Sequence, residues 1–284
     1  MRFRLYEYNK YIQKIKPLLM PLWLKIQKSN LWYKYWSNIE QKRSARNIHA
    51  FCIGLPKSGT HSIATMLECK TAHEPEKSIL FDIFLLRNRG LISIEKQIKI
   101  LKARDTLLWL DVESNWLLGL NFEALIKAFP QAKYILTVRS PLSWLNSQIN
   151  EQFIIGNKID FFKNIYKSMY DTKSHARQDI ALAKYGLYSL RGYLSYWKIY
   201  HREVLDLVPT KNLLIIKTEE ISSKSLQITE FLQVKVNSQN NRKHVRKNKP
   251  LEITNLVESR YLNTQIEYYT ADITREIERR LKKI

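Results

Sequence analysis

The fold is decided by residues 49–66, which read HAFCIGLPKSGTHSIATM. Residues 49–53 are mostly apolar and predict a short buried strand. Residues 54–59 contain two glycines and a proline and therefore predict a turn. From Thr60 onward the spacing of apolar residues predicts a helix that ends near Glu68. A strand, a turn and a helix in this order are typical of a parallel α/β unit.

The same alternation continues along the chain. It favours an α/β fold with a central parallel sheet flanked by helices, in a single domain over residues 49–284. Pro141 is expected in the first turn of a helix, where its fixed φ angle is tolerated. Strands are predicted at 71–74, 106–111, 133–138 and 213–217, and helices at 92–102, 122–129, 188–207 and 254–284.

The charge balance restricts the classes of ligand. The chain has 47 Lys and Arg against 26 Asp and Glu, a formal net charge of +21. Such a surface attracts polyanions, including nucleic acid, acidic polysaccharide, anionic lipid and highly charged nucleotides. The two cysteines, Cys52 and Cys69, fit neither a metal site nor a disulfide framework, so we expect a reducing, cytoplasmic compartment.

Residues 1–48 form a predicted N-terminal extension of different composition. They contain eleven Lys or Arg and two acidic residues, interleaved with Trp23, Trp32 and Trp36. Basic amphipathic helices with aromatic rings bind anionic membrane surfaces, so peripheral contact with the inner membrane surface is one interpretation. The other is a helical extension that packs on the main domain. No apolar stretch in this region is long enough to span a bilayer.

The turn at residues 54–60, which ends in Pro56-Lys57-Ser58-Gly59-Thr60, has the chemistry of a phosphate-binding loop. Backbone N–H groups and the start of the following helix offer partial positive charge to an anion, and Gly59 allows close approach. Lys57 adds a full charge, and Ser58, Thr60 and Ser62 add hydroxyl groups. We therefore predict a phosphate-binding loop at this position.

The loop differs from that of nucleotide triphosphatases, whose pattern is G-x-x-x-x-G-K-[ST]. Gly54 and Gly59 have the required spacing, but Thr60 and His61 stand where the lysine and the magnesium-binding hydroxyl belong. Both missing groups stabilise charge during phosphoryl transfer. The sequence therefore argues against ATP hydrolysis.

A second motif lies about 80 residues further along the chain. The predicted strand at 133–138 ends at Arg139, and ligands of open α/β sheets bind at this end of the strands. Ser147 follows two turns into the next helix. A guanidinium group makes planar, bidentate phosphate contacts, and a serine hydroxyl adds another donor. Arg139 and Ser147 thus form a candidate site for a second phosphate.

The two motifs together resemble those of the sulfotransferases that use 3'-phosphoadenosine-5'-phosphosulfate (PAPS). The resemblance covers about residues 49–250 and implies a P-loop fold and a site that needs no metal. It implies that the first motif binds the 5'-phosphosulfate, the second binds the 3'-phosphate, and adenosine 3',5'-bisphosphate is the nucleotide product. The donor-binding residues implied by these motifs are Pro56, Lys57, Ser58, Gly59, Thr60, His61, Ser62, Arg139 and Ser147.

Two further segments resemble the family more weakly. Lys184-Tyr185-Gly186 is similar to a segment whose tyrosine contacts the adenine, which implies that role for Tyr185, with Tyr188 as a rival. Residues 241–249 fall where the family has a basic loop over the 3'-phosphate, which implies contacts from Arg246 and Lys247. The segment lacks the glycine-rich pattern of the cytosolic branch, so a solvated basic loop is the alternative.

The chemistry of transfer assigns two kinds of catalytic residue. Lys57 is expected to neutralise charge that develops on the leaving phosphate. The acceptor also needs a general base. Glu74 is the first candidate because it resembles a glutamate after the second strand in glycan- and protein-modifying branches. His73 is the second and Asp111 the third, and the alternative is that all three cap helices or line a pocket.

The sequence thus predicts a sulfotransferase that moves a sulfuryl group from PAPS to a hydroxyl or amine. The basic composition favours an acceptor that is a glycan, a glycolipid or another anionic or membrane-associated molecule, and nucleic acid is not an expected partner. The alternatives are a nucleic-acid-binding protein and a P-loop protein that only binds a nucleotide or a membrane. The nucleic-acid-binding alternative leaves Arg139 and Ser147 unexplained.

Overall fold

The structure is a computed structural model, and it describes Arg46 and residues 48–156, 159–170, 174–236 and 251–282. The chain divides into two compact units. The larger unit comprises Asn47–Lys99 and Leu110–Ile284, and the smaller one includes Ile100–Trp109 with the residues up to Arg46. Apart from Arg46 and Ile48, the predicted extension at 1–48 lies outside the described residues, so its boundary stays a prediction.

The described part of the chain alternates strands and helices, as the sequence predicted. No helix in these residues is both long and apolar enough to cross a membrane. The strands are β1 (Ala50–Cys52), β2 (Leu67–Glu68), β3 (Thr71–His73), β4 (Val112–Ser114), β5 (Lys133–Val138), β6 (Leu213–Lys217) and β7 (Lys235–Val236). The helices are α1 (Thr60–Met66), α2 (Lys77–Asn88), α3 (Ile94–Leu108), α4 (Phe122–Ala128), α5 (Pro141–Glu151), α6 (Asp160–Met169), α7 (Ala181–Lys184), α8 (Leu190–Leu207), α9 (Ser225–Leu232) and α10 (Ser259–Leu281).

Within these residues, five strands form a parallel sheet in the order β3-β4-β1-β5-β6. Strand β1 is central and has β4 on one side and β5 on the other. Residues 134–138 of β5 are buried, as expected for an inner strand of a parallel sheet covered on both faces. Strands β2 and β7 pair antiparallel beside this sheet. The predicted α/β fold with a central parallel sheet is confirmed.

The order of the strands positions the functional site. In a parallel sheet the carboxyl ends of all strands lie on the same side. Ligands bind there, at the point where the chain leaves one strand toward one end of the sheet and the next strand toward the other end. Here the chain leaves β1 toward β3 and β4, and then crosses to β5 and β6. The loops that follow β1, β3 and β5 therefore meet on this side of the sheet.

The strand predicted at residues 106–111 is wrong. Residues up to Leu108 belong to α3, and Trp109 ends the helix with a left-handed backbone (φ 48°). The strand of the sheet is β4, and it contains Glu113, which is only 3% exposed. A short apolar run cannot by itself distinguish a buried helix end from a strand. Strand β4 was not predicted because Glu113 interrupts its apolar pattern.

The smaller unit is described at Arg46 and at 100–109. Arg46 forms an ion pair with Asp105, with 2.9 Å between its NH2 nitrogen and Oδ2. Its guanidinium group also lies over the ring of Trp109, 4.3 Å from the centroid. The ion pair joins residues that are 59 positions apart in the sequence.

Candidate active site

The phosphate-binding loop follows β1 and leads into α1. Two of its residues adopt left-handed backbone conformations, Lys57 with φ 69° and Gly59 with φ 98°. Gly54 has no room for a side chain, because a Cβ atom there would lie 1.9 Å from Oγ1 of Thr137. Left-handed conformations and close approach are what glycine allows. The loop is therefore a tight turn whose glycines are required by its geometry.

Side chains from distant elements hold the backbone of this loop. Nε1 of Trp144, on α5, donates a hydrogen bond to the carbonyl oxygen of Pro56 at 3.0 Å. Oγ1 of Thr218, which follows β6, donates to the carbonyl oxygen of Ser58 at 2.6 Å. Buried backbone oxygens that are paired in this way stay in place. The middle of the loop is consequently fixed from two directions.

The hydroxyl group of Ser58 is buried inside the protein. The side chain is 1% exposed, and its Oγ donates to the carbonyl oxygen of Leu55 at 2.6 Å and lies 2.9 Å from Oγ1 of Thr137. The predicted role of Ser58 in donor binding stays a prediction. The left-handed backbone of Lys57 turns the next side chain inward, so Ser58 stabilises the turn.

The second motif lies directly beside the loop. Arg139 follows β5, its Nε donates to Oγ of Ser143 at 2.8 Å, and its NH1 donates to the carbonyl oxygen of Lys57 at 3.2 Å. Burial lowers the pKa of Arg139 from its usual value, and the carboxylate of Glu219 opposes this shift. A half-buried guanidinium group that retains further N–H donors is suited to an anionic ligand.

The two motifs share an open cavity of about 710 Å³. An adjoining cavity of about 460 Å³ extends along α5 and shares four of its lining residues, Lys57, Arg139, Ser147 and Glu151. The structure thus brings both predicted phosphate-binding motifs to one place. The sequence-predicted residues that line the larger cavity are Pro56, Lys57, Gly59, Thr60, His61, Ser62, His73, Glu74, Arg139 and Ser147.

Two candidate bases lie at the end of β3. Nε2 of His73 is 3.3 Å from Oγ1 of Thr60 and 3.7 Å from Oε1 of Glu74. Oε2 of Glu74 also pairs with Nζ of Lys77 at 3.6 Å. Burial lowers the pKa of His73, and the charge of Glu74 partly opposes that effect. His61 packs edge-on against His73, with 5.0 Å between ring centroids.

The third candidate base, Asp111, lies at the amino-terminal end of the strands, away from the phosphate-binding loop. It precedes β4, whereas the prediction had it close that strand on the side of the phosphate-binding loop. Its Oδ2 accepts a hydrogen bond from the backbone N–H of Lys70 at 3.0 Å. Because β1 and β4 are parallel, Asp111 lies at the amino-terminal end of the strands and the loop lies at their carboxyl end. The prediction failed because the strand itself was misplaced.

The two tyrosines predicted to contact the adenine do not line either cavity described above. Tyr185 is 38% exposed and packs against Phe153, with ring centroids 5.7 Å apart. Tyr188 packs against Tyr170. Arg246 and Lys247 lie outside the described residues. Their roles in nucleotide binding stay predictions.

The sequence profile of the family described as "Sulfotransferase domain" matches residues 93–249, which is more than half of the chain. The chain belongs to this family. The predicted resemblance to the PAPS-dependent sulfotransferases is thereby confirmed. The match contains Arg139 and Ser147 and begins after the phosphate-binding loop. Membership favours an enzyme over the two alternative functions.

Solved sulfotransferases are similar to the chain in structure. The sulfotransferase of Alicyclobacillus acidocaldarius is 13% identical, with 81% of this chain and 97% of that chain covered and a TM-score of 0.42. Mouse sulfotransferase SULT7A1 complexed with PAP is 17% identical, with 88% of this chain and 93% of that chain covered and a TM-score of 0.44. The sulfotransferase domain of the Synechococcus PCC 7002 olefin synthase is 15% identical, with 84% of this chain and 95% of that chain covered and a TM-score of 0.40. No curated protein sequence matches the chain.

Several residues that line the larger cavity were not predicted from the sequence. Trp116, Phe162 and Tyr166 form an aromatic wall of the larger cavity, and Glu151 and Thr218 also line it. These residues belong to no recognisable motif and come from four parts of the chain, with Phe162 and Tyr166 both on α6. One signal was available: Glu151 is one helical turn after Ser147, so the two share a face of α5.

Proposed function

We propose that this sulfotransferase transfers the sulfuryl group of PAPS to a hydroxyl group of an acceptor at the cavity between β1, β3 and β5. One observation carries the proposal: Lys57, Arg139 and Ser147 line the same cavity as His73 and Glu74. Cations and hydroxyl groups for a donor with two phosphate groups are therefore combined with a candidate base. The prediction that no metal is required stays a prediction.

The residues of the loop and of α5 fit the two charged ends of PAPS. Lys57, Thr60 and the loop N–H groups would bind the 5'-phosphosulfate, and Arg139 with Ser147 would bind the 3'-phosphate. PAPS supplies an activated sulfuryl group in this proposal. Lys57 neutralises the charge that develops on the 5'-phosphate when the sulfur–oxygen bond to it breaks.

The geometry at β3 supports His73 as the general base, with Glu74 beside it. Nε2 of His73 faces the phosphate-binding loop across Oγ1 of Thr60. Because the pKa of His73 is lowered, its imidazole is neutral near pH 7 and available to accept a proton. Nε2 takes the proton as the acceptor oxygen bonds to sulfur, and Glu74 stabilises the imidazolium. Glu74 acting directly is the competing assignment.

The other side of the cavity supports an acceptor with both an apolar face and charge. Trp116, Phe162 and Tyr166 provide aromatic surface, and Lys77 lies 5.5 Å from the ring centroid of Phe162. Aromatic rings pack on the apolar faces of amphipathic ligands, and an ammonium group attracts anions. A glycan or glycolipid fits this description. Membrane contact through residues 1–48 and a cytoplasmic location remain part of the proposal.

Ligand-dependent thermal stability tests the donor assignment. Without divalent metal, adenosine 3',5'-bisphosphate should raise the melting temperature more than AMP or ATP does, because Arg139 and Ser147 bind the 3'-phosphate. Arg139→Ala should remove this preference. Arg202→Ala, which changes an arginine paired with Asp272 away from the cavity, is the matched control and should retain it. Equal shifts with AMP and the bisphosphate would refute the assignment.

A radiolabel experiment tests the acceptor. PAPS carrying labelled sulfur is incubated with a panel of anionic glycans, glycolipids and simple alcohols, and label in the product is measured. Transfer to a glycan or glycolipid is expected. Transfer to simple alcohols alone would contradict the acceptor class and leave the donor assignment intact.

A further inference from the structure

The ammonium group of Lys57 is held by a carboxylate. Its Nζ lies 3.1 Å from Oε2 of Glu151, and the side chains are 26% and 23% exposed. Glu151 is the last residue of α5 and lies one turn after Ser147, and both side chains line the donor cavity. The residue expected to bind the 5'-phosphosulfate is therefore already paired with an anion.

This ion pair conflicts with the charge of the donor. PAPS carries negative charge at both its 5' and its 3' end, and like charges brought close together in a partly buried site repel each other. Lys57 cannot stabilise the leaving phosphate fully while it also pairs with Glu151. Binding of the donor must therefore exchange one anionic partner of Lys57 for another.

The surrounding contacts confine this exchange to side chains. The carbonyl oxygen of Lys57 accepts from Arg139, and that of Pro56 accepts from Trp144, so the loop backbone is fixed. Directly after Glu151 the chain forms a π-helical turn, Gln152–Gly156. Such turns are rare and occur frequently at functional sites. The Lys57 and Glu151 side chains are the parts of the pair that are left to move.

We propose that Glu151 is a positioning residue that holds Lys57 in the donor-free enzyme and competes with the nucleotide for it. This inference rests on the proposed function, since it assumes that the donor's 5' end binds at Lys57. A small anion that contacts Lys57 alone must displace Glu151 without forming any other favourable contact. A bisphosphate nucleotide also contacts Arg139 and Ser147, so it displaces Glu151 more readily.

The same competition acts after transfer. The product, adenosine 3',5'-bisphosphate, leaves when Lys57 returns to Glu151, so Glu151 should increase the rate of product release. Release of product limits turnover in many enzymes. Glu151 therefore weakens binding of the nucleotide at equilibrium and shortens the time that the product occupies the site.

Glu151→Gln tests the proposal because it removes the charge and retains the size of the side chain. Titration calorimetry should show about tenfold tighter binding of adenosine 3',5'-bisphosphate and of inorganic sulfate. Stopped-flow displacement should show slower release of the bisphosphate. Glu123→Gln, which neutralises a carboxylate paired with Lys127 outside the donor cavity, should change neither quantity.

A double-mutant cycle separates competition for Lys57 from a structural role. In a Lys57→Ala background, Glu151→Gln should no longer tighten binding of either anion, because the contested cation is absent. An effect of equal size in both backgrounds would overturn the proposal, as would unchanged affinities in Glu151→Gln alone. Glu151→Asp should give an intermediate affinity, since the shorter side chain lengthens the 3.1 Å contact.

The two ligands distinguish failure of this inference from failure of the proposed function. If the unaltered protein binds AMP as tightly as the bisphosphate, the donor assignment fails. Binding of inorganic sulfate still tests the Glu151–Lys57 pair in that case, since sulfate has no 3'-phosphate. A preference for the bisphosphate together with unchanged sulfate and bisphosphate affinities in Glu151→Gln refutes the inference alone.

Discussion

The donor half and the acceptor half of the cavity are built in different ways. The donor half comprises the loop at residues 54–60 and the segment 139–151. The acceptor half comprises residues 71–77 together with the aromatic wall. Hydrogen bonds of 2.6 to 3.2 Å from Trp144, Thr218 and Arg139 fix the backbone of the donor half.

The side-chain contacts of the acceptor half are longer, while its backbone is held by pairing with β4 and by a hydrogen bond from the N–H of Glu74 to the carbonyl oxygen of Ser114 at 3.0 Å. His73 is 3.3 Å from Thr60, and Glu74 is 3.6 Å from Lys77 and 3.7 Å from His73. Glu74 and Glu76 also have left-handed backbones, with φ of 50° and 44°, which are unfavourable for residues with side chains. The difference teaches that distant side chains fix the loop backbone of the donor half, where Lys57–Glu151 is the pair proposed to rearrange, whereas longer contacts position the His73 and Glu74 side chains of the acceptor half.

The largest expected effect falls on the acceptor half. His73→Gln should reduce turnover by about 10²–10⁴-fold, the usual contribution of a general base, and leave the affinity for adenosine 3',5'-bisphosphate within about twofold. Turnover is followed as formation of the bisphosphate from PAPS with the acceptor identified in the panel. Glu74→Gln should have the smaller effect. The reverse ranking would assign the base to Glu74.

The next effect falls on the donor half. Gly59→Ala should lower the free energy of unfolding by about 2 kcal/mol and weaken binding of the bisphosphate, because Gly59 is left-handed. The added Cβ would also lie 2.6 Å from Cδ1 of Ile221. Gly90→Ala is the control, since Gly90 has φ of 68° and no atom within 4 Å of the new Cβ. Equal losses in both, measured by urea unfolding, would exclude a contribution from crowding at the loop.

A smaller effect is expected where Thr218 holds the loop. Thr218→Val keeps the shape of the side chain and removes the hydrogen bond to the carbonyl oxygen of Ser58, which should cost about 1 kcal/mol of stability. Binding of the bisphosphate should weaken in parallel. Thr229→Val removes a hydroxyl that bonds within its own helix, α9, and should leave binding unchanged. Loss of stability without loss of binding would show that the loop does not need this contact.

The smallest effect is the pH dependence of turnover. The pKa of His73 is lowered from the ordinary value of 6.5, so more than half of its imidazole stays neutral at pH 6.5. The base is lost as the pH falls through this lowered pKa, so turnover should fall less than about twofold between pH 8 and pH 6.5. The steep part of the acid limb should lie lower. A midpoint above pH 6.5 would contradict His73 as the base.

Several elements were predictable because their signals are local. The apolar run at 133–138 coincides with β5, and Pro141 begins α5 as expected. The strand predicted at 106–111 was wrong because the same apolar residues also fit a helix end. The inward direction of the Ser58 side chain was not predictable, because it depends on the left-handed turn at Lys57, which a motif does not reveal.

The sequence by itself determined that a phosphate-binding loop follows the first strand of the sheet and that Arg139 and Ser147 follow another. These features depend on neighbouring residues: glycine for a tight turn, an apolar run for a buried strand and proline for a helix start. They identified the family before any contact was known.

Only the tertiary structure decided which side chains meet. The order β3-β4-β1-β5-β6 brings His73 to Thr60, and it places Asp111 at the opposite end of the strands. It also pairs Lys57 with Glu151, 94 positions further along the chain. Such contacts depend on strand order and helix direction, which no local pattern fixes. The phosphate-binding loop was predictable from the sequence, but the carboxylate that holds its lysine was not.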